Sequence, residues 1–515
     1  MSHRFVRGIM LFAAVAVLIG LFLANLTLAS PFVRSWDEVD FVFALDRYDL
    51  LAMQPHFPGY PYFIAGATIL HQWISDPVKA LITLNALLAL SSAIPIALLA
   101  KRYMRLQTAA WASVWILTMP YLWLMGSRPM SECAGIAVLW WFLWSVREAA
   151  EKPRSTWRHA VALLLFSLLM GIRLSFFPFG IGLVLLWLHQ YRSFAGYRAR
   201  IARLILSIVS AIGAQLIWVS GLVMSEGTLG GFWKLSNAFV AGHFSEWGGG
   251  ITAAEMSLPA RIVKLIASNL ITDVLLSRSI VIGAFCFVLL LLIVWGLGLL
   301  REKKPESGAE LRYGLWLGIC VAAYVLWALL GQNIEKPRHI APIAGPLMLA
   351  FYILAIRTSQ SLTQSVTATR SKYLFIAVGR GICFTLAAVV ISQIVHGANL
   401  LKMQANEKPA VYQMHEYMDE LKQPLIVYTW EETRVLQYLH ADYEHRRILT
   451  FNYFNALADA NPERKVLLTD HVLEGFYLQN ASIRDYVDPI AQFSSSSLFD
   501  PVYSQITLYE WKKHN

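Results

Sequence analysis

The chain has 515 residues, of which 57% are hydrophobic and 15% charged, with a mean hydropathy of +0.51. That balance excludes an ordinary soluble globular protein and requires a chain that crosses a membrane many times. The formal net charge of +10 does not imply nucleic acid, because the basic residues fall mostly in short loops between apolar runs, as orientation signals do. Cys133, Cys286, Cys320 and Cys383 all lie in or at apolar runs, which leaves no disulfide framework and no Cys-x-x-Cys metal site.

A first span is predicted from Ile9 to Ala29, with Arg4 and Arg7 ahead of it, so the N-terminus should be cytoplasmic. Pro31 after Leu28-Ala29-Ser30 makes a poor cleavage site, and the span reads as a retained helix. Next comes WDEVDFVFALDRYDLLAMQPHFPGYPY, residues 36–62. It holds adjacent carboxylates at Asp37 and Glu38, further acids at Asp40, Asp46 and Asp49, and an exit through His56, Pro58, Gly59, Tyr60 and Pro61. Acids beside hydrocarbon are costly unless hydrated or given a role. The plain alternative is an amphipathic helix lying on the membrane with its acids in water. The apolar run 60–74 is short and suits an interfacial or re-entrant helix. Leaving it out of the count keeps Lys101, Arg102 and Arg105, after a span at 78–100, on the cytoplasmic side.

A span at 108–125 returns the chain outside at GSRPMSECAG, where Arg128 and Glu132 stand. Glu132 reads either as a carboxylate favouring the N-terminal end of the next helix or as a site acid, with Arg128 as a partner for phosphate or acid. Spans follow at 133–146, 157–172, 174–189 and 204–224, with arginines in the cytoplasmic loops between them. Arg173, at an external helix end, either reaches for the interface or faces an anionic headgroup. The long loop 225–277 is rich in glycine and aromatics, including Gly248, Gly249 and Gly250, and reads as a lid with interfacial helices. His243 and Glu246 within it are too few for a zinc site.

Three spans at 279–300, 313–331 and 340–356 follow. The loop GQNIEKPRHIAP places Lys336, Arg338 and His339 outside, where orientation rules avoid basic residues. Positive charge at a proline-bounded helix start suits an anion, with ordinary headgroup contact as the alternative. A last span at 374–396, after Arg370 and Lys372, completes about eleven. In the tail from Asn399, PLIVYT, RRILTF, KVLLTD and ITLYEW read as strands alternating with helical stretches. The tail has no glycine-rich phosphate loop and no nucleophile elbow, so acceptor binding or bracing of the lid is expected of it.

WDEVDF followed by HFPGYP resembles the first external loop of GT-C glycosyltransferases that use lipid-linked sugars. Protein O-mannosyltransferases have an Asp-Glu pair there followed by His-Pro-Pro-Leu-Gly, and aminoarabinose transferases a related pattern of Asp-Glu then Pro-Pro. Here Phe57 stands where the first proline would be. The resemblance implies a polytopic α-helical membrane protein of GT-C type, with a transmembrane domain at 1–398, external loops at 30–77 and 225–277, and a small extracytoplasmic α/β domain at 399–515. It implies transfer of a mannose-like hexose or an aminosugar from a polyprenyl-phosphate donor to a hydroxyl of a glycan, lipid or protein acceptor.

In that reading Asp37 is the catalytic base, Glu38 its neighbour and Glu132 the acid of the second external loop, where aminoarabinose transferases and many mannosyltransferases have Asp. His56, Pro58 and Tyr60 shape the substrate site, and Arg128, Lys336, Arg338 and His339 contact the phosphate. No metal ligand set is assigned; a divalent cation as cofactor is left open. The expected setting is the inner (plasma) membrane, among membrane lipids, with the tail outside and no nucleic acid partner. A polytopic transporter or lipid flippase is the alternative. It would carry acids near the bilayer midplane, whereas these cluster at the external ends of spans.

Overall fold

The computed structural model describes residues 3–247, 249, 256–300, 308–364, 372–460 and 463–512. The chain divides into two compact units, one of Met1–Ala29 with Arg47–Lys402, the other of Ser30–Asp46 with Met403–Asn515. Residues 301–307, Arg370, Gly248 and Gly250 lie outside the described residues, as does the side chain of Glu246.

The first unit is helical. Its long helices are α1 (His3–Thr27), α4 (Pro77–Ala100), α7 (Glu132–Glu151), α8 (Thr156–Ile172), α9 (Ile181–Ser193), α10 (Tyr197–Ser225), α13 (Ile280–Leu299), α14 (Gly308–Gly331), α15 (Ala344–Gln364) and α16 (Lys372–Asn406), the last running on into the second unit. Shorter ones are α3 (Pro61–His71), α5 (Leu106–Leu117), α6 (Pro120–Gly126), α11 (Leu229–Gly242) and α12 (Leu258–Val263), with a wider helical stretch at Lys264–Leu275. Local chemistry sets the ends. Pro77 opens α4, and the Asp76 carboxylate accepts from the amides of Val78 and Lys79, filling donors a helix start leaves empty.

Among the described residues, eight helices are long and apolar enough to cross a membrane, or nine if α5 and α6 count as one span bent by 71°. The expected eleven is reached only by adding α7 and α8. α7 carries Glu132, Arg147, Glu148 and Glu151, and α8 has 17 residues. The bend between α5 and α6 falls at Pro120, whose missing N–H breaks the hydrogen-bond ladder. α3, with 11 residues, spans about 16 Å and is too short to cross, as the sequence reading expects.

The second unit holds α2 (Trp36–Asp46), α17 (Ala410–Glu420), α18 (Glu432–Tyr438), α19 (Phe451–Asp459) and α20 (Asp470–Gln479). They surround a five-stranded sheet of β1 (Leu425–Thr429), β2 (Glu444–Arg447), β3 (Lys465–Thr469), β4 (Val487–Ser494) and β5 (Gln505–Trp511), in the order β2-β1-β3-β5-β4. β1, β2 and β3 are parallel and β4 and β5 antiparallel. Tyr428, Leu468, Phe454, Phe476 and Trp511 pack together on one face of the sheet, under α19 and α20. Three expected strands lie where β1, β3 and β5 stand. The expected RRILTF strand instead ends as β2 before Ile448, which drops into the core, and β4 was not expected.

Candidate functional site

In the second unit the acidic stretch forms α2, with Asp37 and Glu38 in its first turn. Asp37 is half-buried and Glu38 fully buried. The Glu38 carboxylate accepts from the amide of Arg34, while the Arg34 guanidinium donates to the carbonyls of Gln404 and Glu407. Asp40 is also fully buried, and Arg434 of α18 donates to it through Nε at 2.8 Å. The same guanidinium lies over the rings of Trp36 and Phe43. The three acids of α2 are therefore not equivalent: Glu38 bonds the backbone just before α2, Asp40 fastens α2 to α18, and Asp37 is the most exposed of them.

In the first unit Glu132 opens α7 and is 2% exposed. Its Oε1 accepts from Arg173 at 2.8 Å and lies 3.0 Å from Nε of Arg338. Its Oε2 is buried with no hydrogen-bond partner among the described residues. Arg173 also donates to Ser131 Oγ and lies over the Tyr60 ring, and Tyr60 shares a 2.8 Å hydrogen bond with His56. Glu132, Arg173, Arg338, Tyr60 and His56 are thus brought together. Arg173, read from sequence as reaching for the interface or facing an anionic headgroup, is buried and paired with Glu132. Two guanidiniums converging on one carboxylate oxygen form a charge-assisted grip whose forks can also hold a phosphate.

His339 is half-buried and bonded through Nδ1 to the Asn333 carbonyl. Burial, with Arg338, Arg173 and Lys336 close by, holds its imidazole neutral, well below the usual range. Arg128 sits in the loop that Asn85 clamps, donating to the carbonyls of Arg128 and Met130 and accepting from the amide of Ala134. Lys336 is half-buried. Pro58 precedes Gly59, whose φ of +81° suits glycine. A Cβ there would stand 2.5 Å from the Tyr48 hydroxyl, which itself donates to the Gly59 carbonyl. Gly59→Ala should therefore lower stability by more than about 1 kcal/mol, read as a fall in the thermal midpoint of the purified protein.

His243 bonds the Gly331 carbonyl through Nε2. Arg261, fully buried, donates to the carbonyls of Leu329, Gln332 and Gly249. Both side chains tie residues of the 225–277 segment to the C-terminal end of α14, an end that favours the Arg261 cation. Sequence reasoning missed Arg261, whose only signal is a basic residue within a helix of that segment.

No family model matches the sequence, and no curated protein matches it. Among solved structures it is similar to ArnT from Cupriavidus metallidurans bound to undecaprenyl phosphate, with a TM-score of 0.54 at 11% identity over 97% of both chains. The apo state of that protein gives a TM-score of 0.53 at 11% identity over 97% of both chains. It is also similar to the Archaeoglobus fulgidus oligosaccharyltransferase tethered with an acceptor peptide, with a TM-score of 0.49 at 12% identity over 89% of this chain and 69% of that one. The fold is of GT-C type with a small mixed sheet in its C-terminal part.

Proposed function

We propose that this protein is an integral-membrane glycosyltransferase that moves a sugar from a polyprenyl-phosphate donor to an acceptor hydroxyl on the outer face of the membrane. The observation that carries the reading is the convergence of Arg173 and Arg338 on Glu132. Glu132 orients both guanidiniums, and their positive charge stabilises the lipid phosphate, which gains charge as the glycosidic bond breaks. An apolar cavity of the first unit, lined by Leu18, Phe22, Leu90, Trp123 and Cys133, supports the same reading. Cys133, one of its lining residues, follows Glu132 in α7. The similar ArnT structure was solved with undecaprenyl phosphate, which supports a donor of that class.

Asp37 takes the proton of the acceptor hydroxyl, since a carboxylate within reach of the attacking oxygen supplies general-base catalysis. The oxygen attacks the anomeric carbon, the bond to phosphate breaks and the phosphate leaves with the electron pair. The test is release of radiolabelled sugar from polyprenyl-phosphate donors by membranes containing the chain; no release from hexose, pentose or aminosugar donors would remove the assignment.

Arg338→Lys keeps the charge but not the fork. It should raise the donor concentration needed for half-maximal rate by about tenfold, and Arg338→Ala by more. A wild-type donor dependence for Arg338→Lys would return the cluster to an interface anchor.

A further inference from the structure

In the second unit, β1 leads through α18 to β2 on one side of the sheet, whereas β3 leads through α20 to β4 and β5 on the other. The two connections part at the carboxyl ends of β1 and β3. In open α/β sheets such a switch point leaves a crevice that takes ligands. Chemistry gathers at this one. Glu432 opens α18 shortly after β1 ends, and Asp470 and His471 open α20 directly after β3 ends. His471 Nδ1 lies 2.5 Å from Glu432 Oε1 and 3.4 Å from Asp470 Oδ1. One nitrogen or oxygen from each of the three lies within 4.8 Å of the others.

A second observation is independent of that cluster. Thr429 and Thr469 are the last residues of β1 and β3, both fully buried, and the hydroxyl of each has no hydrogen-bond partner among the described residues. Thr469 occupies the N-cap of α20, yet its side chain caps nothing. An unmet buried hydroxyl leaves its desolvation uncompensated. Two of them at neighbouring strand tips call for a polar occupant.

We propose that this crevice is a divalent-cation site of the zinc class, with Glu432, Asp470 and His471 as its ligands and a cation-bound water reaching the threonine hydroxyls. An imidazole with two carboxylates suits zinc, which accepts three protein ligands and a water. Calcium asks for six to eight oxygens. Ligand atoms on one tetrahedral zinc stand about 3.4 Å apart, a spacing that side-chain rotation reaches from the present one. Glu432 begins the helix whose Arg434 holds Asp40 of α2, so an ion here stiffens the mounting of the acidic helix.

The full-length chain, purified in detergent and stripped with a chelator, is titrated with zinc chloride against a chromophoric zinc indicator. One equivalent should bind per chain, weakened at least about tenfold in His471→Gln and Glu432→Gln and several-fold in Thr469→Val. Because the first two remove a buried hydrogen bond, the wild-type chain supplies a second measurement. Zinc should protect His471 from diethyl pyrocarbonate relative to the chain's other histidines, read by mass spectrometry. Equal zinc affinity in wild type and variants, or His471 modified at the same rate with and without zinc, overturns the site; the hydroxyls are then met by water alone.

Discussion

Asp37→Asn should lower turnover about a hundredfold or more while the protein still inserts and melts as wild type. The substitution keeps the size and most hydrogen bonding of the side chain and removes its basicity, so the loss isolates proton abstraction. Glu38→Gln is the informative control because the two neighbours sit differently. Glu38 is fully buried and accepts from the backbone of Arg34, so its change should lower the thermal midpoint more than the rate. Sugar transfer measured at saturating donor and acceptor, beside a melting curve, separates the two. Near-normal turnover in Asp37→Asn would take it out of the mechanism, and a larger rate loss in Glu38→Gln would exchange their roles.

The membrane helices were legible because a run of about twenty apolar residues has few other fates. α7 was also legible as a helix, but Arg147, Glu148 and Glu151 at its far end separate it from the helices apolar enough to span. The core strands β1 and β3 could be read from LIVYT and KVLLT, which are buried along nearly their whole length. β4 could not. VDPIAQFS carries a proline and polar residues and pairs through an irregularity between Pro489 and Ala491, which reads as loop until its partner is known. β2 is an edge strand whose EHRR has no apolar signal. Its Glu444 is paired with Arg446 and Arg464, and charge on an edge is a common guard against stray pairing.

For the candidate site, Glu132 was picked out by its match to the acid of the family's second external loop, and Arg338 by sidedness at a proline-bounded helix start, a local signal. The pairing of Glu132 with Arg173 and Arg338 was not, because the start of α7, the end of α8 and the turn Pro337–His339 must first meet. The same holds for Asp40: nothing near it in the chain announces Arg434, which lies far along the tail.

Arg434→Met should destabilise the second unit by about 3–5 kcal/mol, because it leaves the Asp40 carboxylate buried without its guanidinium partner. Asp40→Leu should be damaging too, stranding the cation between Trp36 and Phe43. The double variant Asp40→Leu with Arg434→Met should recover most of the loss, since an apolar pair of similar volume replaces a buried ion pair at little cost. Melting curves of the four chains give the coupling directly, and additive losses would mean that the pair contributes nothing beyond its separate side chains. Turnover adds a second reading. α2 carries Asp37 three residues before Asp40, so a change in how α2 is held moves the proposed base. If the double variant regains its melting temperature but not its rate, the ion pair sets the direction of α2 as well as its stability, and Arg434 is a positioning residue for Asp37. If rate and stability return together, apolar packing alone holds the helix where the chemistry needs it.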